Sequence, residues 1–129
     1  MKILITGGAG FIGSHVADAC LEAGHEVVVV DDLSTGSMDN LNPRAKFYQI
    51  SICDPAISKV FERERPDIVN HHAAQISVPR SIEDPLADVE TNVKGTVNLL
   101  ENCVKYRVKK VVFISSGGAI YGEADRKSV

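Results

Sequence analysis

The chain lacks the features that mark membrane, nucleic-acid-binding or repetitive proteins. None of its 129 residues belongs to an apolar run approaching the ~20 residues that cross a bilayer. The net charge of −3 gives no reason to expect nucleic acid or a membrane surface as a partner. There is no repeat and no low-complexity tract. With 44% hydrophobic and 24% charged residues, the composition predicts one ordinary globular domain.

Cysteine is also scarce, and its spacing excludes the common metal and redox motifs. Cys20, Cys53 and Cys103 are widely separated and form no C-x-x-C pair. We therefore predict reduced, mostly buried thiols, no metal site and a cytoplasmic protein. Because Met1 leads directly into an apolar strand, we also expect no signal peptide.

Hydrophobic patterning alternates between strand and helix along the whole chain. The predicted helices cover residues 11–23, 55–65 and 84–106, each opened or closed by Gly, Asp-Pro or Pro signals. This alternation predicts an α/β fold, a Rossmann-type doubly wound parallel sheet of about five strands in the order 3-2-1-4-5. The predicted strands are 2–6, 26–31, 47–52, 67–70 and 110–115.

Helical spacing also predicts which faces are buried. Gly95 interrupts the long helix, which suggests close packing or close approach to a ligand. The first helix is predicted to bury Ile12, Val16, Ala19 and Ala23, the second to bury Ile57, Val60 and Phe61, and the long helix to bury Leu86, Val89, Val93, Val97, Leu100 and Val104.

Three glycines follow the first predicted strand at a spacing of three residues. Gly7 permits a tight turn, Gly10 lets the backbone approach phosphate oxygens, and Gly13 lets the helix lie close to the sheet. The free N–H groups at the start of the helix then face an anion. The spacing therefore predicts a dinucleotide pyrophosphate site, although a phosphate-free turn between strand and helix has the same pattern.

An acidic residue closes the second predicted strand. Asp31 lies 18 residues after Gly13, where a carboxylate can accept hydrogen bonds from ribose hydroxyls and would repel a 2′-phosphate. This favours NAD over NADP. Asp32 is the alternative ribose ligand, or it begins the loop that follows.

Five segments, in order, resemble the N-terminal, NAD-binding part of the extended short-chain dehydrogenase/reductases, and most of all the UDP-glucose 4-epimerases. The segments are 6–15, 31–36, 71–75, 92–96 and 115–122. The resemblance implies an isomerase that interconverts UDP-glucose and UDP-galactose through hydride transfer at carbon 4, with NAD as cofactor and a UDP-hexose as substrate. Family members commonly dimerise through the long helix and a later one, and only the first of these, residues 84–106, is present; the resemblance therefore allows a homodimer with altered contacts.

The resemblance assigns site residues one by one. Many relatives have serine or threonine at the position of Gly117, so the implied catalytic hydroxyl moves to Ser116 or Ser115; we choose Ser116, for which a hydrogen bond within the loop is the alternative role. Ser51 stands where the family places an adenine-binding aspartate. The cofactor-binding residues are Gly7, Gly10, Phe11, Ile12, Gly13, Asp31, Asp32, Leu33, Ser34, Thr35, Gly36, Ser51, Ile52, His72, Ala73, Ala74, Gln75 and Asn92.

The sequence also departs from the family pattern. The family's Tyr-x-x-x-Lys pair follows the segment 115–118 by twenty or more residues, and we expect this chain to lack the pair and to be inactive alone. We interpret residues 1–129 as an incomplete NAD-binding Rossmann domain, truncated before the later strands and without the sugar-nucleotide domain. Two alternatives stay open: a fragment of a sugar-nucleotide 4,6-dehydratase or reductase, and a non-catalytic NAD-binding chain.

Overall fold

Five parallel strands form one sheet in the computed structural model, which describes residues 1–34, 36–73, 86 and 90–114. The strand order is β3-β2-β1-β4-β5, which confirms the predicted topology. The strands are β1 Lys2–Thr6, β2 Glu26–Asp31, β3 Lys46–Gln49, β4 Ile68–His71 and β5 Lys110–Phe113. The helices are α1 Phe11–Glu22, α2 Ile57–Glu64 and α3 Gly95–Lys105, with a 3₁₀ turn at Met38–Asn40 and a π turn at Glu90–Lys94 before α3.

The two central strands are buried on both faces, as parallel strands covered by helices should be. Val27 to Val30 of β2 are each at most 4% exposed, and Leu4 and Ile5 of β1 are fully buried. Register pairs Thr6 with both Val30 and His71, so the last residues of β1, β2 and β4 end at one edge of the sheet. That carboxyl edge is where loops after parallel strands meet.

Helix α1 turns a different face to the sheet from the one predicted. Gly13, Ser14 and Ala17 are buried, whereas Ile12, Ala19 and Ala23 are exposed. The small side chains let the helix axis approach the strands, and this close approach decides the orientation. Val16 still packs against the core, beside Cys20 and Leu21. The helix ends as predicted, with Gly24 at φ 91°.

The boundaries of β3 and α2 are shorter than predicted. β3 ends at Gln49, so Ile52 lies in a turn, and α2 begins at Ile57. The Asp-Pro signal predicts Asp54 as the N-cap of α2. In the structure Asp54 caps the turn just before α2 instead, because its carboxylate accepts from the N–H of Ala56 at 2.8 Å. The predicted inner face of α2 is confirmed, since Ile57, Val60 and Phe61 are buried.

The apolar stripe predicted for the long helix faces outward where the structure describes it. Leu86 and Val104 are about 80% exposed, and Val93 and Val97 are more than half exposed. The residues of α3 that are buried instead are Gly95, Leu99, Asn102 and Cys103. A Cβ on Gly95 would lie 2.6 Å from Ile52, so this glycine serves close packing. Residues 87–89, including Val89, lie outside the described part.

Burial favours the protonated thiol at two of the cysteines. It raises the pKa of Cys103 to about 11 and also raises the pKa of Cys20. No disulfide links Cys20, Cys53 or Cys103. In the described part of the chain no helix is both long and apolar enough to cross a membrane.

Candidate cofactor-binding site

The glycine-rich turn at the carboxyl edge has space only for glycine at three positions. Gly7 has φ 68°, and a Cβ there would lie 2.8 Å from the backbone of both His72 and Ala73. A Cβ on Gly13 would lie 2.3 Å from the carbonyl oxygen of Gly7. Gly8 was not among the predicted site residues, yet a Cβ at this position would lie 2.6 Å from the side chain of Val29. The turn is therefore held directly against β2 and the end of β4.

The amino end of α1 is open to an anion. Gly10 is its N-cap and offers no capping side chain, and the first turn contains no acidic residue. The first N–H groups of a helix have no partner within it, and they carry its positive dipole end. Phe11, at 79% exposed, leaves this end accessible. These properties match the pyrophosphate role predicted for the turn.

Both carboxylate oxygens of Asp31, the last residue of β2, accept hydrogen bonds from backbone N–H groups. One carboxylate oxygen accepts from the N–H of Ala9 at 2.9 Å, and the other accepts from the N–H of Leu33 at 2.8 Å. Asp31 therefore joins the glycine-rich turn to the loop after β2. Each oxygen has a second lone pair for a ribose hydroxyl.

The carbonyl of Ala9 is fixed as firmly as its N–H. It accepts from the N–H of Ser37 at 3.1 Å and from the side-chain amide of Asn40 at 2.9 Å. A Cβ on Gly36 would lie 2.8 Å from this carbonyl group, so the two loops are in direct contact. Asn40 was missed by sequence analysis, because a lone asparagine in a loop carries no pattern.

The remaining predicted residues lie in separate parts of the fold, and four of them are outside the described part of the chain. Asp32 begins the loop and accepts from the N–H of Ser34 at 2.9 Å. Ser51 accepts from the N–H of Cys53, and Ile52 is buried against the face of the sheet that α2 and α3 cover. His72 and Ala73 lie at the carboxyl edge, and Asn92 lies in the π turn. Thr35, Ala74, Gln75 and Ser116 lie outside the described residues.

Two buried polar atoms at the end of β4 have no hydrogen-bond partner among the described residues. They are Oδ1 of Asn70 and Nε2 of His72. Burial lowers the pKa of His72 below its ordinary value, so the neutral ring is favoured. A buried polar atom without a partner is costly, so these positions are suited to a polar ligand.

One Tyr-x-x-x-Lys spacing occurs before the segment 115–118, at Tyr106 and Lys110, which is not the position of the family pair. Tyr106 follows α3 and stacks on Phe61 with ring centroids 6.2 Å apart. Arg65 lies over the same ring at 5.0 Å. These contacts are at the amino ends of the strands, on the opposite edge from the glycine-rich turn, so this pair cannot perform the proton transfer that the family pair performs.

No cluster of three or more His, Cys, Asp or Glu side chains suited to a metal ion occurs in the described part of the chain. The adjacent His71 and His72 have different surroundings, because the ring of His71 is hydrogen-bonded to the hydroxyls of Thr6 and Thr96.

The model of the NAD dependent epimerase/dehydratase family matches residues 3–128. The chain is 44% identical over 127 residues to the UDP-glucose 4-epimerase of Mycolicibacterium smegmatis, covering 95% of this chain and 41% of that protein. A second relative, the UDP-glucose 4-epimerase of Lacticaseibacillus casei, is 46% identical over 124 residues, with 95% and 37% covered.

Solved structures give the same result. The UDP-glucose 4-epimerase of Thermus thermophilus in complex with NAD superposes with a TM-score of 0.93 at 47% identity, covering 98% of this chain and 41% of that one. The enzyme of Thermotoga maritima with UDP-glucose gives a TM-score of 0.92 at 52% identity, with 98% and 41% covered. The chain therefore spans about two fifths of the length of the relatives it matches.

Proposed function

The chain belongs to the NAD dependent epimerase/dehydratase family, and we propose that its 129 residues form the NAD-binding part of a UDP-glucose 4-epimerase. The observation that carries this proposal is the glycine-rich turn, whose Gly7, Gly10 and Gly13 leave a Cβ-free backbone at the amino end of α1. The relatives and solved structures just compared are epimerases, which favours epimerisation over 4,6-dehydration.

The described residues fit a bound dinucleotide. The N–H groups at the start of α1 would bind the pyrophosphate, and Asp31 would accept from the adenosine ribose. Bound NAD would supply the acceptor for a hydride from carbon 4 of a UDP-hexose and return it to the other face. The role of this chain is to bind and orient that cofactor.

Several further assignments belong to the same proposal. Ser116 is the candidate hydroxyl beside the sugar, and the substrate is a UDP-hexose. We place the protein in the cytoplasm, where its three cysteines, none of them in a disulfide, would stay reduced. We also assign residues 1–129 as a whole to the cofactor domain, and we expect no turnover of UDP-galactose by these residues alone.

A homodimer would cover the outward apolar stripe of α3. Val97, Leu100 and Val104 lie together on that face beside Glu101 and surround an open depression. Their burial against a second copy follows the dimer that the family resemblance allows. Sedimentation of the protein and of Val104→Asp tests this: we expect the substitution to produce monomers, and an unchanged sedimentation coefficient would contradict the dimer.

Nucleotide selectivity tests the proposed cofactor site. Isothermal titration should show that NAD binds more tightly than NADP. Asp31→Asn should weaken NAD binding by roughly tenfold or more, the loss expected for a charged hydrogen bond. It should also reduce the ratio of NAD affinity to NADP affinity.

Asp39→Asn is the matched control, because it makes the same charge change in an exposed turn of the adjoining loop. It should leave NAD affinity within about twofold, as expected for a surface substitution without such contacts. Equal losses in the two variants, or equal binding of NAD and NADP by the unaltered protein, would refute the assignment of Asp31.

A further inference from the structure

The hydroxyl of Thr6 is shared by three groups at the end of β1. It accepts from the backbone N–H of Ala73 at 3.0 Å and, also at 3.0 Å, from that of His72, which is shared with the carbonyl oxygen of Thr6. It also lies 2.6 Å from Nδ1 of His71. A hydroxyl has two lone pairs and one proton. Because two N–H groups point to this oxygen, its own proton is directed to His71, and Nδ1 of His71 is the acceptor.

This donor count fixes the tautomer of His71. A neutral imidazole with an unprotonated Nδ1 carries its proton on Nε2. Nε2 lies 3.3 Å from the hydroxyl of Thr96, which in turn donates to the carbonyl of Asn92 at 2.9 Å. The chain of hydrogen bonds therefore has one consistent direction, from Thr6 through His71 and Thr96 to the π turn.

The surroundings of the ring favour its neutral form. His71 is 8% exposed, and Phe113 of β5 meets its ring edge-on with centroids 5.7 Å apart. β1 presents Thr6 and α3 presents Thr96, neither of which is charged. Burial lowers the pKa of His71, and the adjacent His72 lowers it further.

We propose that His71 is a positioning residue for the cofactor site: as the neutral Nε2–H tautomer it accepts from Thr6 and donates to Thr96. It thereby fixes the end of β1, where the glycine-rich turn begins, relative to the π turn that carries Asn92. This inference rests on the proposed function, because it takes Asn92 and the turn to bind one cofactor.

The tautomer is tested first, on the protein without added cofactor. Two-bond ¹H–¹⁵N correlation spectra of ¹⁵N-histidine-labelled protein at pH 7.5 report which ring nitrogen carries the proton, and His71→Gln assigns the signal among the four histidines. We expect an unprotonated Nδ1 and a protonated Nε2. A protonated Nδ1, in either the other tautomer or the imidazolium, would overturn the proposal.

The positioning role is tested with a pair of variants at Thr96. Thr96→Val removes the acceptor of His71 and the donor to Asn92, while Thr96→Ser keeps the hydroxyl. We expect Thr96→Val to weaken NAD binding by about three- to tenfold, the range for one neutral hydrogen bond, and Thr96→Ser to stay within about twofold.

The same spectra separate this role from a general loss of packing. Thr96→Val should change the exchange protection of the Nε2 proton, and Thr96→Ser should restore it. Unchanged NAD affinity in Thr96→Val, or no rescue by Thr96→Ser, would overturn the positioning role. Absence of NAD binding by the unaltered protein would instead refute the proposed function, while the tautomer of His71 would still be decided.

Discussion

The two ends of the sheet are stabilised by different chemistry. At the amino ends of the strands, the buried carboxylate of Glu64 accepts from Tyr48 at 2.6 Å and pairs with Lys46 at 2.8 Å and Lys2 at 3.4 Å. At the carboxyl ends, the buried contacts between described residues are made by neutral groups, Thr6 and His71 among them, and by the carboxylate of Asp31. The same five strands thus carry an ionic cluster at one end and a mostly uncharged hydrogen-bond network at the other.

This difference separates stability from binding. The charges of Lys2, Lys46 and Glu64 are paired with one another. We therefore do not expect the depression of about 280 Å³ that these side chains line to bind a further charge. At the carboxyl end, α1 has no capping side chain, and Oδ1 of Asn70 and Nε2 of His72 have no partner among the described residues, so these groups are suited to bind a ligand. We therefore expect substitutions at the amino end to change stability alone, and those at the carboxyl end to change cofactor binding too.

The largest effect is expected from an alanine at Gly7. Its Cβ would clash with two backbone groups at 2.8 Å, in a left-handed conformation. We predict that NAD affinity falls by roughly 100-fold or more, equivalent to about 2.8 kcal/mol, and that the free energy of unfolding falls by about 2–4 kcal/mol. Calorimetric titration and urea denaturation measure the two quantities.

Gly24→Ala is the matched control at the opposite end. Gly24 also has a left-handed φ, of 91°, but a Cβ there would meet nothing within 4 Å. The cost should be limited to the backbone conformation, about 1–2 kcal/mol of unfolding free energy. NAD affinity should not change. A loss of affinity in Gly24→Ala as large as in Gly7→Ala would remove the distinction between the two ends.

Glu64→Gln tests the amino end. Burial alone would raise the pKa of Glu64, but hydrogen bonds from Lys46, Tyr48 and Lys2 together outweigh it and hold the pKa below its ordinary value. We predict that the variant loses about 1.5–3 kcal/mol of unfolding free energy, because it weakens charged hydrogen bonds of a buried group. Glu62→Gln, on the exposed side of α2, should lose little. A fall in NAD affinity in Glu64→Gln, at conditions where it stays folded, would contradict this account.

The smallest effect is a difference in acid sensitivity. The pKa of His71 is lowered in the folded state. Below about pH 6.5 the unfolded chain therefore binds a proton that the folded chain does not yet bind. The contribution of His71 to the free energy of unfolding is therefore fully present above that pH. It falls as the pH drops, by at most about 1.4 kcal/mol per pH unit for one group. His71→Gln should reduce this slope between about pH 6.5 and 5.

Glu64 has the opposite charge and a separate pH window. Because its folded pKa is lowered, its contribution is present above its ordinary pKa of about 4.3 and is lost as the pH falls below that value. Glu64→Gln should therefore leave the slope above pH 5 unchanged. Denaturation curves recorded across this range decide the question, and identical slopes in His71→Gln and the unaltered protein would contradict the assignment to His71.

The sequence was sufficient to predict the sheet and the glycine-rich turn. Strands covered on both faces appear as continuous apolar runs, and right-handed crossovers leave few possible orders. The glycine spacing and Asp31 predicted which loops meet. These features are regular, so a periodic pattern reports them.

The helix faces and the hydrogen-bond network could not be predicted in the same way. Helix α3 has apolar residues on two sides, and helical periodicity does not choose between Leu99 with Cys103, which are buried, and Val97 with Val104, which are exposed. Thr6 and Asn40 act through bonds to backbone groups 66 and 31 residues away. A single polar residue with a distant partner leaves no local pattern.

The most direct test of the central claim is to map NAD onto the backbone. Amide ¹H–¹⁵N spectra recorded during a titration with NAD should show the largest shifts at Gly7, Gly10 and Gly13 and around Asp31. The amides of Lys2, Lys46 and Glu64 at the opposite edge should stay in place. Saturable shifts confined to the carboxyl edge are the predicted result, whereas shifts centred on the amino edge, or none at millimolar NAD, would contradict the account.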